Sequence, residues 1–193
     1  MSSLYESKIV NDQTVSEQFK RYFYISQVFL KIIPLARLPI YVKPVTWYGL
    51  FTEKGEESEV VDVMQYLWSG TWPKNKAPHL YSLQIDRKRA VNNVYLKPGN
   101  SYSLLAVAAD PDNDKLSYRW ELLPEPTQVG EGGDYEARPK PVENLLSGIT
   151  NDGQGILKAP DKGGAYRLFV YVTDGNNNVA TANLPFYVKK AYY

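Results

Sequence analysis

The sequence has no cysteine, only one histidine, and no excess of charge of either sign. Without cysteine the chain cannot form disulfides, thiolate nucleophiles or cysteine-ligated zinc, although the compartment stays open. With 22 basic and 21 acidic residues spread along the chain, the net charge is +1, so no nucleic-acid partner is expected. At 193 residues and 44% hydrophobic, the chain is long and apolar enough for one sandwich domain and a smaller unit.

Long uncharged apolar runs are also missing. The apolar stretch at residues 22–42 is broken by two charges and two prolines, so no membrane span is predicted. Residues 1–19 do not have the basic and apolar pattern of a signal peptide.

From residue 77 onward the pattern is that of β-strands. Apolar and polar residues alternate over 101–109, 116–123 and 166–173, with a returning strand over 179–188. This predicts a mainly β protein, an immunoglobulin-like sandwich over residues 77–190 with Trp120 as its central aromatic. The predicted core consists of Tyr102, Leu104, Ala106, Ala108, Leu116, Tyr118, Trp120, Leu122, Tyr166, Leu168, Val170, Val172, Ala180, Ala182 and Phe186.

Residues 1–76 form a smaller unit with one clear helix at about 58–69. Ser58 is its predicted N-cap and Gly70 its left-handed C-cap, and Pro73 prevents continuation. Apolar residues recur every three or four positions on one face, which therefore needs a partner surface. That stripe is Val60, Val63, Met64, Leu67 and Trp68.

Four aspartates in two turns form a candidate calcium site. Asp110, Asp112 and Asp114 alternate in one turn, and Asp174 in the other can approach if both turns lie at the same end of the sandwich. The glycine and glutamate of an EF-hand loop are missing. The alternative is that these carboxylates bond to backbone amides and shape the turns.

Aromatic residues are abundant, at 16 Tyr, 6 Phe and 4 Trp. Exposed rings stack on sugars, and the candidates for carbohydrate contact are Trp72, Tyr135, Phe169 and Tyr171, the last two predicted to point outward. The alternative is packing in a sheet or an interface, where aromatic residues dominate burial.

No catalytic constellation is predicted. The glutamates at positions 53, 56, 57 and 59 cluster in one exposed turn and helix start, rather than facing one another across a cleft. His79 stands between Pro78 and Leu80 without the serine and acid of a triad. The chain is therefore not expected to be an enzyme.

Two stretches resemble known families. Residues 108–120, with the Asp-Pro-Asp-Asn-Asp turn followed by Leu-Ser-Tyr-Arg-Trp, and residues 164–175 resemble the PKD-like and cadherin-like immunoglobulin modules of bacterial secreted proteins. Asn113 stands where those modules usually have glycine, a mild departure because Asn tolerates left-handed geometry. Residues 44–73 are similar to the closing piece of a (β/α)8 glycoside hydrolase barrel of the family 2 type found in Bacteroidetes.

This resemblance implies that the chain is the non-catalytic C-terminal part of such an enzyme: the last barrel helix followed by an accessory or spacer module. It implies a periplasmic or extracellular location, and a barrel domain or polysaccharide as partner. Because residues 16–43 do not match the expected last strand, one hypothesis is a truncated reading frame. The alternatives are a carbohydrate-binding module and a glycosidase.

Overall fold

The computed structural model describes residues 50–52, 54–125 and 139–189. The predictions for residues 1–49 and for Tyr135 lie outside these ranges. The described secondary structure comprises a helix, α1 (Glu59–Ser69), a short 3-10 turn (Ala90–Asn92) and strands β1 (Glu57–Ser58), β2 (His79–Ile85), β3 (Val94–Leu96), β4 (Ser101–Ala109), β5 (Ser117–Pro124), β6 (Leu146–Ser147), β7 (Gln154–Lys158), β8 (Gly164–Thr173) and β9 (Asn178–Val188).

One sheet is built on the β8–β9 hairpin. Its order is β1-β9-β8-β5, and β3 pairs in parallel with the far end of β9. β5 pairs antiparallel with β8 along its whole length, from Ser117 opposite Thr173 to Pro124 opposite Tyr166. This leaves β5 at the edge of the sheet.

The second sheet has the order β2-β4-β7-β6, and all of its pairings are antiparallel. The inner faces of the two sheets bury one continuous apolar cluster. The chain therefore folds as an immunoglobulin-like β-sandwich of mainly β structure, as the sequence predicts.

The core contains the residues that the alternation selects. Trp120 is 8% exposed and lies in the central cluster with Leu122, Leu168, Val170 and Phe186. Tyr102, Ala108, Leu116, Tyr118 and Ala182 pack against it, partly buried. The predicted core is thus confirmed, with further residues from β2, β3 and β7.

The helix is confirmed at its predicted position. Gly70 adopts the left-handed conformation at φ 74° and its N–H bonds to the Tyr66 carbonyl. Ser58 occupies the N-cap position but its side chain makes no capping hydrogen bond. Ser58 is also the last residue of β1, which pairs with β9. The predicted stripe is half-buried for most of its length, whereas Trp68 is 61% exposed. Among the described residues, no helix combines the length and apolarity needed to cross a bilayer.

The strands β6 and β7 were not predicted. Gly153 and Gly155 precede the two apolar residues of β7 and obscure its alternation. Gly153 is required there, since it has φ 81° and a Cβ would lie 2.1 Å from the Ala106 carbonyl oxygen. This close approach positions β7 against β4.

We predict that replacing Trp120 by Ala lowers the free energy of unfolding by about 3–5 kcal/mol, because it empties the space between the sheets. Trp120→Phe should cost only about 1–2 kcal/mol. The indole N–H has no hydrogen-bond partner among the described residues, so this change removes no hydrogen bond. Urea unfolding measures both, with Val91→Ala, at an exposed position, as a control. A Trp120→Ala cost no larger than the control's would contradict the packing described.

Candidate functional site

Three of the predicted aspartates meet at one end of the sandwich. Asp110 follows β4, Asp114 precedes β5 and Asp174 follows β8. One carboxylate oxygen of each lies within 4.8 Å of the others. The two turns therefore lie at the same end, the arrangement on which the predicted site depends.

Asp112 lies outside this group. Its Oδ2 accepts the backbone N–H of Lys76 at 2.7 Å, and its Oδ1 accepts from Lys76 Nζ at 3.1 Å. These bonds, the backbone one first, lower the pKa of Asp112. Asp112 thus fastens the linker before β2 to the turn after β4.

The carboxylates also receive amide donors that the sequence reasoning missed. Asp114 Oδ2 accepts from the side chains of Asn75 and Asn176. Asp174 accepts the backbone N–H of Asn176 at 2.7 Å and the side-chain amide of Asn178 at 2.8 Å. The run of three asparagines at 176–178 is the sequence signal, although it predicts only a turn.

Asp110 uses only one of its two oxygens. Oδ1 accepts hydrogen bonds from the backbone N–H groups of Asp112 at 2.8 Å and Asp114 at 3.1 Å. These bonds shape the turn, as predicted by the alternative to a calcium site. Oδ2 is buried and has no partner among the described residues. A buried carboxylate oxygen without a donor is costly, and a cation would satisfy it. Carboxylate oxygens are ligands that hard cations such as Ca²⁺ prefer.

Three consecutive linker residues connect this cluster to the helix. Asn75 bonds Asp114, Lys76 bonds Asp112, and the Ala77 N–H donates to Asp62 Oδ2 of α1 at 2.7 Å. His79 Nδ1 also lies 3.1 Å from Glu59 Oε2 at the start of α1. The linker is thus bonded on both sides, and the acidic turns and the helix are held to the same segment.

Asp62 is the buried residue of α1, at 4% exposure. Burial raises its pKa above the ordinary value of 3.8, and the bond from Ala77 opposes this effect only in part. The ionised carboxylate therefore accepts this hydrogen bond at a desolvation cost.

The aromatic residues predicted to contact carbohydrate differ in their exposure. Trp72 is 45% exposed and stacks on Tyr66, with ring centroids 4.6 Å apart. The prediction that Phe169 and Tyr171 are exposed is wrong. They do point away from the core, but they are 5% and 4% exposed, in a second apolar cluster with Leu123 and Val179. The Arg119 guanidinium lies 3.9 Å from the centroid of the Tyr171 ring, so this ring does not offer a free face for a sugar.

Two acids that were not singled out line a groove beside the edge strand. This groove, of about 420 Å³, lies between β5 and residues 141–146, and Glu121 and Glu143 contribute to its walls. Glu121 Oε2 also accepts from the Tyr171 hydroxyl at 3.4 Å. Sequence spacing could not bring these two residues together, because Glu121 lies on β5 and Glu143 on a separate segment that returns to it.

No family model and no curated protein matches this chain. Among solved structures it is similar to the PKD domain of an M14-like peptidase from a Thermoplasmatales archaeon, at 18% identity and a TM-score of 0.33, covering 59% of this chain and 94% of that one. It is also similar to PcoC, a methionine-rich copper resistance protein from Escherichia coli, at 17% identity and a TM-score of 0.34, covering 58% and 99%. Similarity at this level assigns no function.

We predict that Asp62→Asn raises the free energy of unfolding at pH 7, because the amide still accepts from Ala77 and carries no buried charge. Since folding raises the pKa of Asp62, its proton is bound more tightly in the folded state. The bound proton therefore stabilises the folded state fully below pH 3.8. This stabilisation is lost as the pH rises through the pKa that Asp62 has in the folded state. The difference between wild type and Asp62→Asn should thus shrink as the pH falls toward 3.8.

Urea unfolding of both proteins between neutral pH and that value measures the difference. Asp62→Ala serves as the matched control, since it removes the acceptor and should be about 1–2 kcal/mol less stable than Asp62→Asn. A wild type that is more stable than Asp62→Asn at pH 7 would contradict the prediction.

Proposed function

We propose that this chain is a non-catalytic accessory module, an immunoglobulin-like spacer of a polysaccharide-degrading glycoside hydrolase. Its mechanism is mechanical: a rigid sandwich that presents a docking surface to a catalytic domain. The enzyme context and the exported location come from the resemblance of residues 44–73, 108–120 and 164–175 described above. The division into residues 1–76 and 77–190 follows the start of the β-strand pattern at residue 77. A catalytic barrel is the proposed partner, and the half-exposed stripe of α1 is the proposed contact.

One observation carries the non-catalytic assignment: polar groups of the types that serve in catalysis are bonded to other parts of the structure. His79 is bonded to Glu59, Asp62 to the linker, and Asp174 to amides of its own turn. A general acid or nucleophile must instead present its reactive atom to a cleft. Glu121 and Glu143 both line one groove, and they define the glycosidase alternative.

Of the rings predicted to contact carbohydrate, Tyr135 lies outside the described residues, and Trp72 is the one of the other three that is exposed. Sugar-binding surfaces present exposed ring faces, and the rings of Phe169 and Tyr171 are buried. One face of Trp72 is already occupied by Tyr66, which leaves the other for a sugar. The burial of two of the predicted sugar-contacting rings favours the spacer role over the carbohydrate-binding alternative.

We expect the purified chain to hydrolyse no nitrophenyl glycoside and to show no retardation in affinity gels that contain plant or microbial glycans. Retardation that Trp72→Ala abolishes would establish the carbohydrate-binding alternative. Hydrolysis that is lost in both Glu121→Gln and Glu143→Gln would instead establish the glycosidase. Either result would end the spacer proposal in its present form.

The cluster of Asp110, Asp114 and Asp174 is proposed as a calcium site that stiffens the module. The supporting observation is the buried, unpartnered Asp110 Oδ2, which lies in a group of three carboxylates. Calcium would offset their mutual repulsion and fix both turns together with the linker. The competing explanation, that the carboxylates only shape the turns, already accounts for Asp110 Oδ1 and much of Asp174.

We predict that calcium raises the midpoint of thermal unfolding by about 5–10 °C at roughly a hundredfold excess over its dissociation constant. Asp110→Asn and Asp174→Asn should abolish the shift. Asp112→Asn is the matched control, because Asp112 lies in the same turn but bonds Lys76, and it should keep the shift. No calcium-dependent shift in the wild type, or an equal one in Asp110→Asn, would leave only the turn-shaping role.

A further inference from the structure

In the part of the chain that the structure describes, β5 lies at the edge of its sheet and has backbone groups without a strand partner. Leu122 accepts the Val142 N–H at 2.8 Å on the side away from β8, whereas the Glu125 N–H bonds Ala165 on the side of β8. Backbone groups alternate in direction along a strand, so those of Tyr118 and Trp120 also point away from β8. Within the described residues they have no backbone partner on that side. Such an edge is a template for another strand unless it is covered or blocked.

The sequence around this edge is complementary to itself. A second copy running antiparallel, with Tyr118 opposite Tyr118, places Leu116 opposite Trp120 and Lys115 opposite Glu121. The apolar pairs then lie on the core side, and the charged pair lies on the outer side with Ser117 opposite Arg119. Opposite charges facing each other across a strand pair stabilise it, and like charges destabilise it.

The backbone directions fit the same register. Tyr118 and the Leu116–Trp120 pairs would be the hydrogen-bonded positions, with two bonds between the tyrosines and two in each of the other pairs. The Lys115–Glu121 pair falls at a non-hydrogen-bonded position, where side chains approach most closely. It would therefore gain most from opposite charge.

The neighbouring groove fits the incoming lysine. Lys115 is exposed, and in this register the second copy's Lys115 lies beside Glu121, at a groove that Glu143 also lines. Asn113 has φ 65°, which turns the chain out of line two residues before Lys115. The incoming strand thus ends before the position at which Val142 occupies the edge.

We propose that β5 is the interface of a two-fold symmetric dimer, in which two copies of this chain pair edge to edge over residues 115–121. The two sheets that contain β5 then form one continuous sheet. The interface is isologous, so each change in the sequence acts twice. This inference does not rest on the accessory-module proposal, and its contacts are separate from those of the acidic cluster.

The test is a charge reversal and its rescue in the full chain. Lys115→Glu and Glu121→Lys should each weaken dimerisation at least about tenfold, because each places like charges opposite one another twice. The double variant with both changes should restore it to within about threefold of the wild type. Lys158→Glu, on the exposed face of the other sheet, makes the same change in net charge as Lys115→Glu and should leave dimerisation unaltered.

Sedimentation equilibrium over a wide range of protein concentration measures the association constant, with calcium held constant. A chain that stays monomeric throughout would overturn the proposal. So would a dimer that ignores both reversals, or one that the double variant does not restore. If a variant fails to fold, hydrogen exchange of the wild-type Tyr118 and Trp120 amides decides. Their protection must rise with protein concentration, and protection that stays constant overturns the interface.

Discussion

The structure depends on the two-residue alternation of side-chain direction in β5, β8 and β9, which lie side by side. It places Trp120, Val170 and Ala182 in one row across the inner face, and it does so because the registers of both strand pairs are fixed. A slip of one residue would turn every one of these side chains outward. Burial of this face against the second sheet is therefore the main source of stability, and it also locks the turns at the ends of the strands in place.

Those turns concentrate negative charge at one end of the sandwich. Asp110, Asp114 and Asp174 are brought together by the strands that they terminate, not by attraction for one another. The chain offsets the repulsion with amide donors from Asn75, Asn176 and Asn178. Because Asn75 belongs to the linker, the same bonds that relieve the crowding also hold the linker in place. Fold stability, turn geometry and linker position are thus coupled at this end.

Much of the sandwich could be predicted from the sequence, because alternation reports directly on burial in a two-layer sheet protein. The outward direction of Phe169 and Tyr171 was predicted correctly, but their burial was not. Direction depends on local alternation, whereas burial also depends on what packs over the outer face. In the same way, the carboxylate cluster could be predicted only as far as the turns could be placed. Lys76 reaches Asp112 across 36 positions of sequence, and no local pattern indicates such a contact.

The acidic cluster at the end of the sandwich is connected to the β5 edge through two adjacent residues. Asp114 belongs to the acidic cluster, and Lys115, the next residue, begins the segment that matches a second copy of β5. Whatever neutralises Asp114, whether amide donors or a cation, restricts the backbone of Lys115 as well. A less ordered turn would let Lys115 sample more positions and raise the entropy lost when the edge pairs. Order at the acidic turn and pairing at the edge should therefore rise and fall together, although each has its own contacts.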